Sequence, residues 1–352
     1  MSDDLKYYNS NSNLKAADQQ IQFTEDQLKE YIKCAEDPIY FINNYCMIVT
    51  LDHGLQPFKL YPCQVNKINV IHRNRMVILM EGRQQGKTTS SAAYILWYTL
   101  FQEAKTVAIL AHKASAAREV LDRYQIMYES LPKWMQQGVV TWNKGDVELE
   151  NRSKVFTAAT TASGIRGKTV NMLYIDETAI IPNGIADAFF ASVYPTISSG
   201  QETKVALVST PNGLNHFYSI WINAIEKRNS YNHIKVSWKD VPGRDDKWKQ
   251  DTLSAMNFDI EKFAQEHESE FLGSSGTLIA SWKLKELVHQ PPISEKEGLV
   301  QYIKPEKGHV YMMICDVSRG KGLDYSAFQV LDVSKMPYQQ VSVFRNNSVT
   351  PI

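Results

Sequence analysis

Apolar residues near the start of the chain recur at helical spacing. Thr24 and Gln27 have the spacing of a capping box ahead of an apolar stripe, which predicts a helix that ends near Ala35. Asp37 followed by Pro38 repeats the start signal, with an N-cap residue before proline at the first helical position. Two consecutive helices are therefore expected before residue 50.

From residue 76 onward, short β-rich runs alternate with helical stretches. The runs lie at 76–80, 106–111, 154–157, 172–175 and 204–208, and the helical stretches at 87–102, 115–130 and 215–227. Continuous apolar strands separated by helices favour a parallel sheet covered by helices on both faces. The pattern predicts an α/β fold.

Other parts of the chain depart from this alternation. Residues 1–20 are polar without an apolar period, which predicts a mobile N-terminal arm. An α/β domain is expected over 21–275, with an all-helical part at about 240–275. Proline- and glycine-containing stretches predict a linker over 276–307, and three closely spaced strands at about 309–316, 325–333 and 338–345 predict an antiparallel meander that begins a second domain over 308–352.

Composition narrows the class of protein. Hydrophobic residues make up 43% and charged residues 22% of the chain, which is typical of a globular protein and excludes collagen-like and disordered chains. The longest apolar runs fall far short of the ~20 residues that cross a bilayer, and the N-terminus lacks a secretory signal, so we expect a cytoplasmic protein without a membrane span. The 38 basic and 38 acidic residues balance, so any contact with a polyanion must be local.

Gly86-Lys87-Thr88 follows a predicted strand directly and opens a predicted helix, which is the context of a phosphate-binding P-loop. Backbone N–H groups at such a helix start point at phosphate oxygens, the lysine adds a positive charge, and the threonine hydroxyl binds Mg2+. Glu81 stands where the usual first glycine of the motif is expected, so the match is incomplete. A second copy, Gly167-Lys168-Thr169, leads into a strand and is expected to be a decoy.

Asp176 and Glu177 follow the buried strand predicted at 172–175. The first carboxylate is expected to hold Mg2+, and the second is expected to polarise an attacking water. Adjacent acids at a strand end are otherwise often a helix cap, but beside Lys87 they predict hydrolysis of a nucleoside triphosphate.

Three further features each have two interpretations. Arg83 is either an arginine finger that reaches the γ-phosphate or one partner of a surface ion pair with Glu81. Ser209-Thr210 either bonds the catalytic water network or is a strand-ending turn. Gln64 has an amide suited to adenine, although a glutamine alone says little.

Four segments of the chain are informative in their order and spacing. They read Arg-Gln-Gln-Gly-Lys-Thr-Thr at 83–89, Leu-Tyr-Ile-Asp-Glu-Thr-Ala at 173–179, Ser-Thr-Pro-Asn-Gly at 209–213 and Phe-Ala-Gln-Glu-His-Glu-Ser-Glu-Phe at 263–271. Together they resemble the large terminase subunit of T-even-type tailed phages. The resemblance spans about residues 55–333. The P-loop of that family is deviant in the same manner, which accounts for Glu81.

The resemblance implies a P-loop NTPase domain of the ASCE or RecA-like type with a small helical subdomain, followed by the start of an RNase H-like nuclease domain. It implies an ATP- and Mg2+-dependent motor that threads double-stranded DNA into the procapsid in the host cytoplasm. The implied partners are the portal protein, the small terminase subunit and further copies of the chain in a ring, expected to be a pentamer.

Roles carried over from the family fall on matching positions. The implied ATP-binding residues are Gln64, Gly82, Arg83, Gln84, Gln85, Gly86, Lys87, Thr88 and Thr89, with Lys87, Arg83 and Glu177 as the catalytic set. Thr88 and Asp176 would hold Mg2+, Gln64 would contact adenine, Arg83 would sense phosphate, and Ser209-Thr210 would couple hydrolysis to movement. In the nuclease part, Asp316 and Asp324 match metal ligands.

Two-metal DNA cleavage needs several carboxylates to hold its ions, and one or two aspartates on a single hairpin cannot supply them. We therefore expect no nuclease activity from this chain, which ends at Ile352 and reads as an ATPase-domain fragment or a split-gene product. A superfamily 2 helicase is the alternative enzyme, since it shares Asp-Glu and Ser-Thr-Pro motifs, but it needs a second RecA-like core. A degenerate P-loop scaffold without activity is the non-enzymatic alternative.

Overall fold

A computed structural model describes residues 5–50, 52–161, 165, 167–198, 200–272, 290–318 and 325–349, and of residues 194–198 the backbone alone. The chain divides into two compact units, Met1–Ser281 and Trp282–Ile352.

The first unit contains a helical layer on each side of a central sheet. Its helices are α1 (Glu25–Glu36), α2 (Pro38–Tyr45), α3 (Pro62–Arg73), α4 (Lys87–Phe101), α5 (Ala114–Glu129), α6 (Asn183–Ser198), α7 (His216–Ile225), α8 (Asp246–Ala255) and α9 (Ile260–Glu266). The capping box predicted at Thr24 is present, and the Asp37 side chain accepts hydrogen bonds from the first turn of α2. These local signals therefore place the first two helices as predicted.

The strands of the first unit are β1 (Met47–Thr50), β2 (Gly54–Pro57), β3 (Met76–Glu81), β4 (Thr106–Ala111), β5 (Val139–Trp142), β6 (Asp146–Leu149), β7 (Lys154–Ala159), β8 (Met172–Ile175), β9 (Lys204–Ser209) and β10 (Asn232–Val236). The main sheet has the order β10-β3-β9-β8-β4-β7-β6-β5. Its strands from β10 to β7 are parallel, while β6 and β5 are antiparallel. The predicted α/β class is confirmed, and the sheet is mixed rather than purely parallel.

Alternate residues of the parallel strands β3, β4, β7, β8 and β9 enter opposite hydrophobic layers. On β3, Val77 and Leu79 pack in the layer formed with α4 and α5, whereas Ile78 and Met80 pack in the layer formed with α6 and α7. Burial on both faces explains why these strands are continuous apolar runs in the sequence. Because these strands run parallel, the carboxyl ends of β3, β9, β8 and β4 lie at one edge of the sheet, where ligands bind in folds of this type.

The structure differs from the expected mobile N-terminal arm. Residues 5–20 pack on the sheet: Leu14 is buried, Ala16 bridges to Val139, and the Lys15 amine pairs with Glu150 at 2.9 Å. The polar composition of the segment did not predict this packing, because only a few of its residues contact the domain and their partners lie more than a hundred residues away.

The all-helical part expected at 240–275 contains two separate helices, α8 and α9. Asn257 and Phe258 between them have positive φ values of 54° and 57°, which ends the first helix before Asp259 caps the second. Residues 267–272 lie beyond the second helix and are not helical.

The second unit is a five-stranded sheet of the described residues. It comprises β11 (Ser294–Lys296), β12 (Leu299–Gln301), β13 (Tyr311–Asp316), β14 (Ser326–Asp332) and β15 (Gln339–Asn346), in the antiparallel order β11-β12-β15-β14-β13. The predicted meander is present. The hairpin β11–β12 occupies part of the segment expected to be a linker, because β12 pairs with β15 and so joins the sheet. Residues 276–289 of that predicted linker and Asp324 lie outside the described residues.

None of the helices in the described part of the chain is long and apolar enough to cross a membrane.

Candidate active site

The loop after β3 turns sharply into α4. Gly86 caps the helix with a φ of +73°, and Gln84 also has a positive φ of 56°. The buried Gln85 side chain closes the turn by accepting the Gly82 N–H at 2.9 Å and donating to the His267 carbonyl at 3.3 Å. A Cβ on Gly82 would lie 2.5 Å from Gln85 Nε2, and one on Gly86 would lie 2.4 Å from Gln64 Nε2. The loop therefore needs glycine at both positions.

Oxygen ligands from two elements meet at the start of α4. The Thr88 hydroxyl donates to Asp176 Oδ2 at 3.2 Å, and Lys87 Nζ lies 3.9 Å from Asp176 Oδ1. The Glu177 N–H donates to Asp176 Oδ1 at 2.9 Å, which fixes the carboxylate. A hydroxyl and a buried carboxylate beside a helix N-terminus suit Mg2+ and phosphate. The residues present therefore fit both Mg2+ and a phosphate group.

Glu177 stands beyond the end of β8 in a left-handed conformation, with φ of 51° and ψ of 39°. Its Oε2 lies 2.9 Å from His112 Nδ1, although the ring nitrogen is not aligned for a hydrogen bond. His112 follows β4, so the neighbouring strand places it beside the carboxylate. A non-glycine residue in this conformation is uncommon and is often held by functional surroundings.

The Ser209-Thr210 turn contacts both neighbouring loops. Ser209 Oγ accepts the Ala179 N–H at 3.0 Å, and Thr210 Oγ1 donates to the Glu81 carbonyl at 3.2 Å. The next residue, Pro211, accepts a hydrogen bond from Gln265 Nε2 at 2.8 Å. The turn thus bridges the Asp-Glu strand end, the P-loop and α9.

Arg83 pairs with α9 and not with Glu81. Its Nε lies 2.6 Å from Glu266 Oε2, and its backbone N–H donates to the Glu266 carbonyl at 2.7 Å. The side chain is 66% exposed and lines the cleft. Glu81 instead pairs with Lys67 at 2.8 Å, with both side chains almost fully buried. The surface pair of Arg83 with Glu81, one of the two sequence interpretations, is therefore wrong.

Gln64 lies behind the P-loop rather than in the cleft. Its Oε1 accepts the Tyr61 N–H at 3.0 Å, and its Nε2 donates to the Gln85 carbonyl at 3.1 Å. Both ends of the amide are thus engaged with the chain.

Residues next to the start of α8 and the end of α9 contact the P-loop. The Arg244 guanidinium donates to the Gln84 carbonyl at 2.6 Å and stacks on the Trp248 ring at 4.4 Å. His267 packs edge-on against Trp248, and burial followed by the nearby Arg244 charge lowers its pKa. The small helical region therefore contacts the P-loop directly.

These groups surround a cleft of about 530 Å3. Its lining comprises Arg83, Gln84, Gly86, Lys87, Thr88, Thr89, Arg123, Glu177, Ile180, Ser209, Thr210, Pro211, Asn212, Gln265 and Glu266. Most of the residues proposed from sequence meet here. The decoy triplet does not, because Gly167-Lys168-Thr169 precedes β8 and Lys168 lies over the Phe156 ring at 3.9 Å.

Asp316 ends β13 in the second unit. Among the described residues, no three His, Cys, Asp or Glu side chains are grouped so as to hold a metal ion. The described part of this unit therefore offers no metal cage around Asp316.

Comparison with known proteins decides the family. A sequence model of the N-terminal region of T4likevirus-type terminase large subunits matches residues 78–286, more than half of the chain. The chain belongs to this family. The resemblance to phage large terminases noted from the sequence is confirmed.

Individual terminases share about a quarter of their residues with the matched part of this chain. The large subunit of Thermus phage G20c is 27% identical over 187 residues, which cover 48% of this chain and 36% of that protein. The subunit of Thermus virus P23-45 matches to the same extent. The chain thus spans about a third of the length of these curated relatives.

Solved terminases share the fold. The HK97 bacteriophage large terminase superposes with a TM-score of 0.58 at 17% identity, covering 88% of this chain and 67% of that one. The large terminase of a thermophilic bacteriophage, in complex with ADP, gives 0.50 at 12% identity, with coverages of 81% and 68%.

Sequence reasoning missed several residues of the terminase site. Four of them lie in helical or loop segments that match no motif: Lys67, His112, Arg123 and Arg244. The fifth is Glu266. For Glu266, its place inside the Phe-Ala-Gln-Glu segment was a signal, but no local pattern assigned it to Arg83.

Proposed function

We propose that this terminase chain hydrolyses ATP and that hydrolysis drives double-stranded DNA into a procapsid. The observation that carries the proposal is the meeting of Thr88, Asp176 and Glu177 at one end of the sheet, with the Thr88 hydroxyl 3.2 Å from Asp176. Membership in the terminase family supports the motor function, and the related terminase of a thermophilic bacteriophage was solved with ADP.

Each group has a distinct task in this proposal. The P-loop N–H groups and Lys87 bind the phosphates, and Thr88 and Asp176 hold Mg2+. When bound, Mg2+ neutralises charge on the phosphate oxygens. Glu177 orients the attacking water and accepts its proton.

Arg83 is the proposed phosphate sensor. Its exposed guanidinium lines the cleft and is held by Glu266. A γ-phosphate would offer the same planar cation a competing oxygen acceptor, so Arg83 is proposed to exchange one partner for the other. The proposed adenine contact of Gln64 stays a prediction, because its amide would have to exchange the hydrogen bonds it makes to Tyr61 and Gln85.

Coupling is proposed to pass through Ser209-Thr210. The turn is bonded to Ala179 after the catalytic acids, to Glu81 before the P-loop, and through Pro211 to Gln265 on α9. A change at the phosphates would thus reach the helical region along short, direct hydrogen bonds. The zero net charge of the chain suits a local and intermittent grip on DNA.

The remaining functional assignments follow the family. We propose the portal protein, the small terminase subunit and a ring of identical subunits, expected to be a pentamer, as partners in the host cytoplasm. A nuclease centre that includes Asp316 and Asp324 is proposed to be incomplete in this chain.

The test is ATP turnover by the purified chain and its variants. Glu177→Ala should lower the rate by about 10^2 to 10^4-fold while MgATP binding is retained, and Lys87→Ala should weaken binding itself. Turnover that does not change in Glu177→Ala would favour the inactive scaffold instead.

A second assay separates the motor from a helicase. ATP-dependent protection of DNA inside added procapsids would support packaging, whereas unwinding of a forked duplex would support the helicase. Among the described residues the second unit is an antiparallel sheet and not a RecA-like core.

A further inference from the structure

The position that breaks the standard P-loop pattern, Glu81, is part of a buried charge pair. The Lys67 and Glu81 side chains are 1% and 2% exposed, and Lys67 Nζ lies 2.8 Å from Glu81 Oε1. The contact is an ion pair by distance, since that oxygen has no aligned hydrogen-bond donor among the described residues. Charges this well buried are costly to desolvate, so their presence calls for a reason beyond packing.

Lys67 also bonds the P-loop helix directly. Its Nζ donates to the Lys87 carbonyl at 2.6 Å, and the Ser91 hydroxyl donates to the same oxygen at 2.8 Å. Lys67 therefore connects α3 to the residue whose side chain is expected to reach the phosphates. Glu81 is the residue from which the loop departs, and its carbonyl accepts the Thr210 hydroxyl.

We propose that Lys67 and Glu81 are positioning residues that fix both ends of the phosphate-binding loop, Glu81 where the loop begins and Lys87 where it ends. The proposal rests on the proposed ATPase function. With glycine at position 81, Lys67 would be a buried cation without its carboxylate. The ion pair of Lys67 with Glu81 therefore restrains the start of the loop, where the usual glycine would leave the backbone more flexible.

A merely structural pair predicts a different result from a positioning pair. Removing one partner leaves an uncompensated buried charge and destabilises the fold under either explanation. Replacing both partners by apolar side chains of similar length often restores stability. Only a positioning role predicts that the restored protein still binds nucleotide poorly.

The experiment compares Lys67→Met, Glu81→Met and the double variant for thermal stability, KM for ATP and kcat. We expect both single variants to be destabilised. The double variant should regain stability yet show a KM raised about tenfold or more, the effect of losing a charged hydrogen bond to the Lys87 carbonyl. A double variant with wild-type stability and wild-type KM would overturn the proposal.

Two controls keep the test decisive. Lys15→Met with Glu150→Met removes another ion pair, at 2.9 Å, whose residues do not line the cleft, and should leave KM unchanged. If the double methionine variant does not fold, Lys67→Leu with Glu81→Leu takes its place, because leucine also has no donor for the Lys87 carbonyl, and the same two outcomes apply. Absence of MgATP binding and turnover in the wild-type chain would instead refute the ATPase proposal itself, before any variant is compared.

Discussion

Replacing Gly86 by alanine tests whether the P-loop is shaped by its contact with Gln64. The substitution imposes two separate costs. A left-handed φ of +73° costs a non-glycine residue about 1–2 kcal/mol. The new Cβ would also lie 2.4 Å from Gln64 Nε2 and displace that amide from its two hydrogen bonds, at about 1 kcal/mol each.

The sum predicts that Gly86→Ala lowers the free energy of unfolding by about 3–4 kcal/mol. Gly54→Ala is the matched control, because Gly54 has a similar φ of +66° with nothing within 4 Å of its added Cβ. It should cost about 1–2 kcal/mol, the conformational part alone. Urea denaturation followed by tryptophan fluorescence measures both.

A third variant isolates the clash. On a Gln64→Ala background the amide is gone, so Gly86→Ala should cost no more than Gly54→Ala does in the wild type. Equal costs for Gly86→Ala and Gly54→Ala in the wild-type background would refute the reasoning. Such a result would mean that the loop rearranges freely around Gln64.

Three other outcomes are expected. Glu266→Gln frees Arg83 from an ion pair in which the arginine side chain is 66% exposed, so the pair is worth up to about 1 kcal/mol and KM for ATP should fall by up to about fivefold. An unchanged or raised KM would argue against competition between Glu266 and phosphate. Burial lowers the folded-state pKa of His267 below its usual 6.5, so the unfolded chain binds a proton more tightly than the folded chain does. The free energy of unfolding should therefore decrease as the pH falls below about 6.5. In urea denaturation at several pH values, His267→Gln should lose less stability at low pH than the wild type does. An identical pH profile for the two proteins would contradict this role of His267. Plasmid DNA should stay intact with the chain and Mg2+ or Mn2+, and cutting that Asp316→Ala abolishes would show the nuclease expectation to be wrong.

The sequence predicted the elements that carry the site with little error. The strand expected at 172–175 is β8 within the same bounds, and β3 and β9 each extend only one residue beyond their predicted ends. These signals are local: an apolar run buried on both faces, a capping residue or a glycine turn is visible in neighbouring residues alone. The antiparallel pair β5–β6 was not predicted, because its short, half-polar strands carry no comparable pattern.

Motif and strand context in the sequence were enough to propose Lys87, Thr88, Asp176 and Glu177 as the residues of a nucleotide site. The ion-pair partners around this site became visible only in the three-dimensional fold. Arg83 and Glu266 are 183 positions apart, and Lys67 meets Glu81 only because α3 packs behind the strand that leads into the loop. A side chain can pair only with groups that the fold brings within a few ångströms, and that distance cannot be read from the separation of two residues along the chain.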